Sequence, residues 1–378
     1  MGIDEWFMQM ALDIARVSVG QTSPNPNVGA VVVKDGRVVG QGAHLYAGGP
    51  HAEVHALRMA GEGAQGATIY VTLEPCNHHG RTPPCTEAII AAGIRRVVIA
   101  SVDHDPRTAH GGISRLQDAG LDVTVGILEE QANRMNRVFF HRIDTGRPLV
   151  VYKAATTLSG HVAANSGHSR YVTGDAARAD VQRMRLEHPS IAVGVQTVLA
   201  DDPRLTVRGE DGAASERQPV RVVFDSVLRT PTNAAMFREP GQTLILSTAE
   251  GVASRPHEAD KLRATAGVEV VAITATDGRI NLVEAMQFLG ARGFNSMLLE
   301  GGPTLAASFF AERLVDEVRM YVAPKLLANG LPALQGVETS DMGQAIRLSN
   351  AVWQQIGEDL RLDATVLYTD EAVFRGSR

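Results

Sequence analysis

Apolar residues recur at helical spacing from the first residues of the chain, with Ile3, Phe7, Met10, Ala11 and Ile14 on one face and Asp4 as the expected helix start. Two short β-branched runs, residues 30–33 and 37–40, flank Asp35-Gly36 and predict a hairpin, because such a two-residue turn needs positive φ at both positions. The pattern then alternates. Helices are expected over 51–60, 86–92, 113–119 and 128–139, the first three stopped by glycines, and strands over 68–72, 97–101 and 123–125. Strands separated by helices of this length predict a largely parallel sheet between helical layers. The second half opens on an apolar strand at 149–155, with further strands at 220–225, 244–247, 297–300, 319–322 and 364–368 in a mixed sheet. The strand at 297–300 runs through Gly301-Gly302-Pro303 into a helix that reaches Glu312, and 209–218 reads as an exposed polar loop.

At 378 residues the chain exceeds what one hydrophobic core organises, so two domains are expected, 1–146 and 147–370, joined near Thr145-Gly146-Arg147-Pro148. A composition of 44% hydrophobic and 21% charged residues is that of a globular protein, and no apolar run is long enough to span a bilayer. The formal charge of −6 argues against a nucleic-acid surface. Asp4, Glu5, Asp13 and Arg16 interrupt the first apolar residues, so they do not read as a signal peptide. Two cysteines make no disulfide framework, and thiolate metal ligands need a reducing compartment, so the cytoplasm is the expected location.

Those two cysteines carry the chemistry. His51-Ala52-Glu53, Pro75-Cys76 and Cys85 offer one imidazole and two thiolates, three protein ligands for a tetrahedral zinc with an open fourth position. Zinc so held activates water near neutral pH, and Glu53, kept out of the ligand set, is free to carry protons to a departing amine. H-x-E followed by P-C is the signature of zinc nucleobase deaminases, although their second cysteine follows two intervening residues later and here eight intervene. Asn25 and Asn27, in the loop Ser23-Pro-Asn-Pro-Asn-Val-Gly29, are amides able to read a pyrimidine edge. His44 follows the hairpin, and Arg81 lies between the two cysteines, where a guanidinium can hold a phosphate. In the second half, Gly301-Gly302 ahead of a helix lets backbone N–H groups approach a phosphate.

Together H-A-E-V-H-A, T-L-E-P-C-N-H-H-G-R-T-P-P-C and N-P-N-V-G resemble the bifunctional riboflavin biosynthesis deaminase/reductase family, and the resemblance runs to about residue 370. It implies an α/β protein with an N-terminal cytidine-deaminase-like three-layer domain and a C-terminal dihydrofolate-reductase-like domain. The implied reactions are deamination of 2,5-diamino-6-(5-phosphoribosylamino)pyrimidin-4-one, then NADPH-dependent reduction of the ribosyl group to ribityl. Carried over by motif, His51, Cys76 and Cys85 hold Zn2+, Glu53 moves protons, and Asn25, His44 and Arg81 contact the deaminase substrate. Ser169, Arg185, Leu205, Arg208 and Glu300 would meet the ribose phosphate end of the reductase substrate, with two arginines converging on the phosphate. Lys153, Ala155, Tyr171, Thr197, Asp201, Ser226 and Gly302 would line the NADPH site. Asp103-His-Asp-Pro106 stands where the family has a D-P-N-P turn and is expected to be structural. The partner implied is a small phosphoribosyl pyrimidine, with neither nucleic acid nor membrane, and a homo-oligomer, dimer or larger, is expected.

The departures from the family pattern fall in one place. Thr157-Leu158-Ser159-Gly160-His161 stands for S-L-D-G-[KR], and Tyr171-Val172 for tryptophan and isoleucine. Three readings follow: the bifunctional enzyme, a deaminase whose reductase half is disabled and kept for ligand binding or dimerisation, and a nucleic-acid base deaminase. The third leaves the C-terminal half unexplained.

Overall fold

A computed structural model describes residues 2–78, 83–105, 109–209, 211–338, 341–368 and 375–376. It divides into two compact units, Met1–Gly146 and Arg147–Arg378. Among the described residues no helix is long and apolar enough to cross a membrane.

The first unit runs α1 (Ile3–Ala15), β1 (Gly29–Lys34), β2 (Arg37–Ala43), α2 (Ala52–Ala60), β3 (Thr68–Val71), α3 (Cys85–Ala91), β4 (Arg96–Ile99), α4 (Gly111–Asp118), β5 (Asp122–Val125), α5 (Glu129–Met135) and α6 (Arg137–Thr145). Asp35 and Gly36 both take positive φ, 49° and 74°, and close the β1–β2 hairpin as the sequence predicts. The five strands are ordered β2-β1-β3-β4-β5. Only β3–β4 and β4–β5 are parallel; β1 pairs antiparallel with both β2 and β3, so the sheet is mixed where a largely parallel one was expected. Alternation along β1 supplies both cores. Ala30 and Val32 pack with Ala52, Ala56 and Leu57 on one face, while Val31 and Val33 pack with Phe7, Met8, Ala11 and Leu12 on the other. The result is a sheet between two helical layers.

Two sequence expectations are corrected here. The buried stripe of α1 is Phe7, Met8, Ala11, Leu12 and Ala15, and Ile3 is exposed. Asp4 sets that rotation: its carboxylate takes two bonds from the Arg96 guanidinium, both 2.9 Å, and one from the Tyr70 hydroxyl at 2.8 Å. The helix expected over 128–139 is two helices broken at Asn136. The buried Asn136 side chain accepts from Asn27 N at 2.8 Å and donates to Asn27 O at 3.0 Å, a bond pair that periodicity does not reveal.

The second unit runs β6 (Leu149–Thr157), β7 (His161–Ala164), α7 (Asp175–Glu187), β8 (Ser190–Gly194), α8 (Val195–Asp201), β9 (Val220–Phe224), β10 (Thr243–Thr248), α9 (Ala249–Ser254), α10 (Pro256–Ala264) and β11 (Val268–Ile273). A short hairpin, β12 (Ala275–Thr276) and β13 (Arg279–Ile280), leads to α11 (Leu282–Ala291), β14 (Ser296–Leu299), α12 (Pro303–Ala311) and β15 (Glu317–Ala323). Two short strands, β16 (Gly330–Pro332) and β17 (Val337–Glu338), precede the long pair β18 (Arg347–Ile356) and β19 (Asp359–Leu367). Nine strands form one sheet, β11-β10-β9-β8-β14-β6-β15-β19-β18. From β11 to β15 every pairing is parallel, and β19 and β18 add antiparallel at one edge. This is the mixed sheet the sequence predicts, and Glu300 and Gly302 follow the carboxyl end of β14, where open α/β sheets place ligands.

Candidate active site

The deaminase-like site is built by a helix laid directly on a strand. A Cβ on Gly40 would lie 2.1 Å from Ala56 O, and one on Gly42 would lie 2.6 Å from Ala52 O. Only glycine lets β2 approach α2 this closely, and that contact fixes where α2 begins. His51 is its N-cap and Glu53 lies in its first turn. Cys85 is the first residue of α3, and Cys76 sits in the segment after β3.

Three ligand atoms converge there. His51 Nδ1 lies 3.2 Å from Cys85 Sγ and 3.5 Å from Cys76 Sγ, and the three ligand atoms all fall within 4.8 Å of one another. Edges of about 3.5–3.8 Å are what a tetrahedron with zinc–nitrogen and zinc–sulfur bonds requires, so the donor set fits zinc in size and kind. It is the one such group of three among the described residues. The Cys85 thiol and backbone N–H both point at Cys76 Sγ, and with help from His51 they pull the Cys76 thiol down to about 4. Cys85 is pushed up by its hydrogen bond to Cys76 and by burial, so without a cation the pair holds its first charge on Cys76. The bond to Cys76 raises the His51 pKa against burial. Such a set gains most from a divalent cation, which neutralises a second thiolate.

Glu53 is buried at 3% exposure, and burial raises its carboxyl above the ordinary range. Above it opens a cleft of about 270 Å³ lined by Asn25, His44, His51, Glu53, Cys76, Asp103, Asp105 and Arg142, among others. His44 Nδ1 lies 3.1 Å from Pro50 O, which only accepts, so Nδ1 carries the proton and Nε2 accepts from Asn25 Nδ2 at 3.0 Å. Burial lowers the His44 pKa and keeps that ring neutral, edge-on to His51 with centroids 5.3 Å apart. Asn25 is thereby held with its amide oxygen available to a ring amino group. Asn27 is corrected: it is buried, bound to Asn136 through its backbone, and takes Thr22 Oγ1 at 3.1 Å on its side chain, so it shapes the loop and does not line the cleft. Asp103 and Asp105, expected to be structural, line it. Arg81 lies outside the described residues.

Replacing either sulfur ligand removes one of three corners. Cys76→Ala and Cys85→Ala are each expected to purify with less than about a tenth of the wild-type zinc by elemental analysis, since ligand loss costs more than the 10–100-fold seen for outer-shell partners. Full zinc in both variants would rule the site out.

In the second unit, the β6–β14 register ends at Tyr152 beside Leu299, which brings Lys153 next to Glu300. Arg185, from α7, completes a half-buried triad. Its Nε and Nη2 bond the two Glu300 oxygens at 2.7 and 3.0 Å, its Nη1 donates to Thr206 O at 2.7 Å, and Lys153 Nζ lies 3.7 Å from Glu300. Burial alone would raise the Glu300 carboxyl, yet Arg185 and Lys153 hold it at about 2. Lys153 is lowered, because burial and the neighbouring Arg185 outweigh what Glu300 gives back; the bidentate Arg185 contact is the stronger half of the cluster. The Arg185 fork is thus turned onto Glu300, while Arg208 is exposed.

The remaining candidates fall in smaller groups. Gly302 heads α12, and a Cβ there would lie 3.3 Å from Thr197 Oγ1, so these two are neighbours. Ala155 lies on β6, Leu205 is buried, and Ser169 is half-buried in the loop before Tyr171. The Tyr171 ring is exposed, with the Arg178 guanidinium 4.3 Å from its centroid. Asp201 O takes a 3.5 Å bond from Arg170, and Ser226 Oγ accepts from Ile280 N at 3.1 Å. In the altered turn, Ser159 Oγ donates to Leu327 O and accepts from Leu327 N, both at 2.9 Å.

Comparison with known proteins places both units. Residues 1–101 match the cytidine and deoxycytidylate deaminase zinc-binding region, and residues 148–362 match the RibD C-terminal domain. The chain is 45% identical over 347 residues to riboflavin biosynthesis protein RibD of Escherichia coli (strain K12), covering 89% of this chain and 92% of that protein. RibD of Bacillus amyloliquefaciens is 42% identical, with 96% of each chain covered. Among solved structures, Acinetobacter baumannii RibD superposes with a TM-score of 0.87 at 38% identity, covering 97% of this chain and 99% of that one. A Thermotoga maritima diaminohydroxyphosphoribosylaminopyrimidine deaminase/5-amino-6-(5-phosphoribosylamino)uracil reductase gives 0.82 at 34% identity over the same shares. With a zinc-binding deaminase region at one end and a reductase domain at the other, the chain belongs to the RibD family of bifunctional riboflavin biosynthesis proteins.

Proposed function

We propose that residues 1–146 deaminate 2,5-diamino-6-(5-phosphoribosylamino)pyrimidin-4-one and that residues 147–370 then reduce the ribosyl chain of the product with NADPH. The convergence of His51, Cys76 and Cys85 beside the buried Glu53, at the floor of a cleft, carries this reading. His51 Nδ1 and the two sulfurs would hold zinc, which when bound makes water at its open position acidic near neutral pH. Glu53 would take a proton from the attacking water and pass it to the ring nitrogen. It would then take the remaining proton from the added hydroxyl and deliver it to the amino group as the carbon–nitrogen bond breaks and ammonia leaves, which returns the carboxylate to its starting state. Its raised pKa suits a group that must both take and return protons. Asn25, fixed by His44, orients the pyrimidine, and Arg81 is assigned to the phosphate.

In the second unit, bound NADPH supplies a hydride to C1′ of the ribosyl group, and a proton must reach the ring oxygen that C1′ releases. Lys153, expected at the NADPH site and held by Glu300 beside Arg185, would give that proton, a role its lowered pKa supports. Ser169, Leu205 and Arg208 are assigned to the substrate, and Ala155, Tyr171, Thr197, Asp201, Ser226 and Gly302 to NADPH. Gly302, the N-cap of α12, would bring its backbone N–H to a phosphate at the positive end of the helix. The Ser159–Leu327 bonds keep the altered turn closed, which favours a working reductase over a disabled one. A homo-oligomer formed through the sheet edge fits β18, which is exposed along its length and carries Val352 and Trp353 in the open. A cytoplasmic location follows from the thiolate site.

Zinc removal separates the two halves. After dialysis against a chelator, ammonia release is expected to fall to background and to return with added zinc. NADPH oxidation with the deaminated substrate is expected to stay within about twofold. Loss of both activities on chelation would contradict two independent sites.

A further inference from the structure

Glu74 stands two residues before Cys76, and its carboxylate takes no part in the chemistry above. It is buried, and each oxygen accepts two backbone N–H groups. Oε1 takes Gly112 at 2.9 Å and Ile113 at 3.1 Å; Oε2 takes His110 at 3.0 Å and Asp103 at 3.3 Å. Gly112 and Ile113 belong to the first turn of α4, whose N-cap His110 makes no capping bond of its own. Glu74 therefore caps α4 from a different segment, placing its charge at the positive end of that helix. The same helix end is pressed onto the ligand segment, since a Cβ on Gly112 would lie 2.0 Å from Pro75 O. Glu74 N donates to Ser101 O at 2.9 Å, fastening the segment from the other side. Between these anchors lie the Cys76 corner of the ligand set and the cleft wall at Asp103 and Asp105.

We propose that Glu74 is a positioning residue of the deaminase centre, fixing Cys76 as a metal ligand and the 103–105 wall against the cleft from behind. The inference rests on the zinc deaminase reading of this site. Chemistry requires a carboxylate here. Four N–H donors converge on two oxygens, and glutamine would turn an NH2 group toward two of them. Aspartate keeps both oxygens and the charge but falls one methylene short, so it should restore part of the function.

Full-length protein carrying Glu74→Gln, Glu74→Asp or Gly112→Ala, loaded with zinc, tests this by three readouts. These are the rate of zinc transfer to a colorimetric chelator, the deaminase kcat and KM with zinc in excess, and NADPH-dependent reduction as a control on the other domain. Expected are zinc release on the order of tenfold faster or more in Glu74→Gln, a raised deaminase KM, intermediate values for Glu74→Asp, and unchanged reduction. Gly112→Ala, which keeps the glutamate but pushes the helix end that donates to it away from Pro75 and Glu74, should also release zinc faster. Should Glu74→Gln fail to fold, the aspartate and alanine variants decide. Wild-type zinc release and wild-type KM in the folded variants would overturn the proposal. The zinc-release arm needs no substrate, so a wrong pyrimidine would show as absent wild-type turnover and leave this arm intact.

Discussion

Glu53→Gln is expected to lower ammonia release by about 10²–10⁴-fold, the range for loss of a general acid/base, with zinc content and NADPH oxidation unchanged. Glutamine keeps the shape of the side chain in a pocket where the residue is 3% exposed, so packing is conserved. It cannot accept a proton from water and return it to the leaving nitrogen. The three ligand atoms belong to other residues, so the metal should stay. Ammonia release, elemental analysis and NADPH oxidation on one preparation check all three. Retained deamination would remove Glu53 from the proton path; joint loss of both activities would mean that the change had damaged the fold.

Glu300→Gln is expected to destabilise the second unit by about 3 kcal/mol, because Lys153 and Arg185 would keep their buried charges without a counter-ion. The figure follows from the carboxyl being held at about 2 against an ordinary 4.5, at about 1.36 kcal/mol per unit. Such a loss corresponds to a fall of about 6–12 °C in Tm for a unit of this size. The sign with pH is fixed by the direction of the shift. A depressed carboxylate contributes fully above its unfolded value of 4.5 and loses that contribution as pH falls through 4.5 toward 2. Thermal unfolding of wild type and variant should therefore show a wide gap at pH 7 and only about two fifths of it at pH 3. An equal gap at both would show that charge pairing is not what Glu300 supplies. Reduction should fall as well, since Lys153 loses the partner that orients it.

The clustering of the three candidate metal ligands was legible because its parts are short and contiguous. His51-Ala-Glu53 must start a helix to present an imidazole and a carboxylate together, and a cysteine at the head of α3 is readable from the run that follows it. Asp35-Gly36 was equally plain, since few residue pairs take positive φ twice. What failed depends on partners distant in sequence. Asn27 resembled a substrate amide until Asn136, 109 positions away, took its backbone, and the same bonds broke a helix that periodicity runs straight through. The face of α1 was misjudged because Arg96 and Tyr70 turn it by holding Asp4. The pairing of the Arg185 fork with Glu300 was equally out of reach, since the two residues lie 115 positions apart. Glu74 stood in view inside T-L-E-P-C, but its four N–H donors come from residues 103–113, which only the fold brings to it.

In a bifunctional chain, hydrolytic deamination and then reduction act on the same molecule. Purified protein given 2,5-diamino-6-(5-phosphoribosylamino)pyrimidin-4-one and excess NADPH, with ammonia and NADPH followed together, tests this most directly. One NADPH should be oxidised for each ammonia released, with oxidation lagging behind ammonia at early times. Ammonia release to completion with NADPH untouched, in the same vessel and with zinc present, would contradict it.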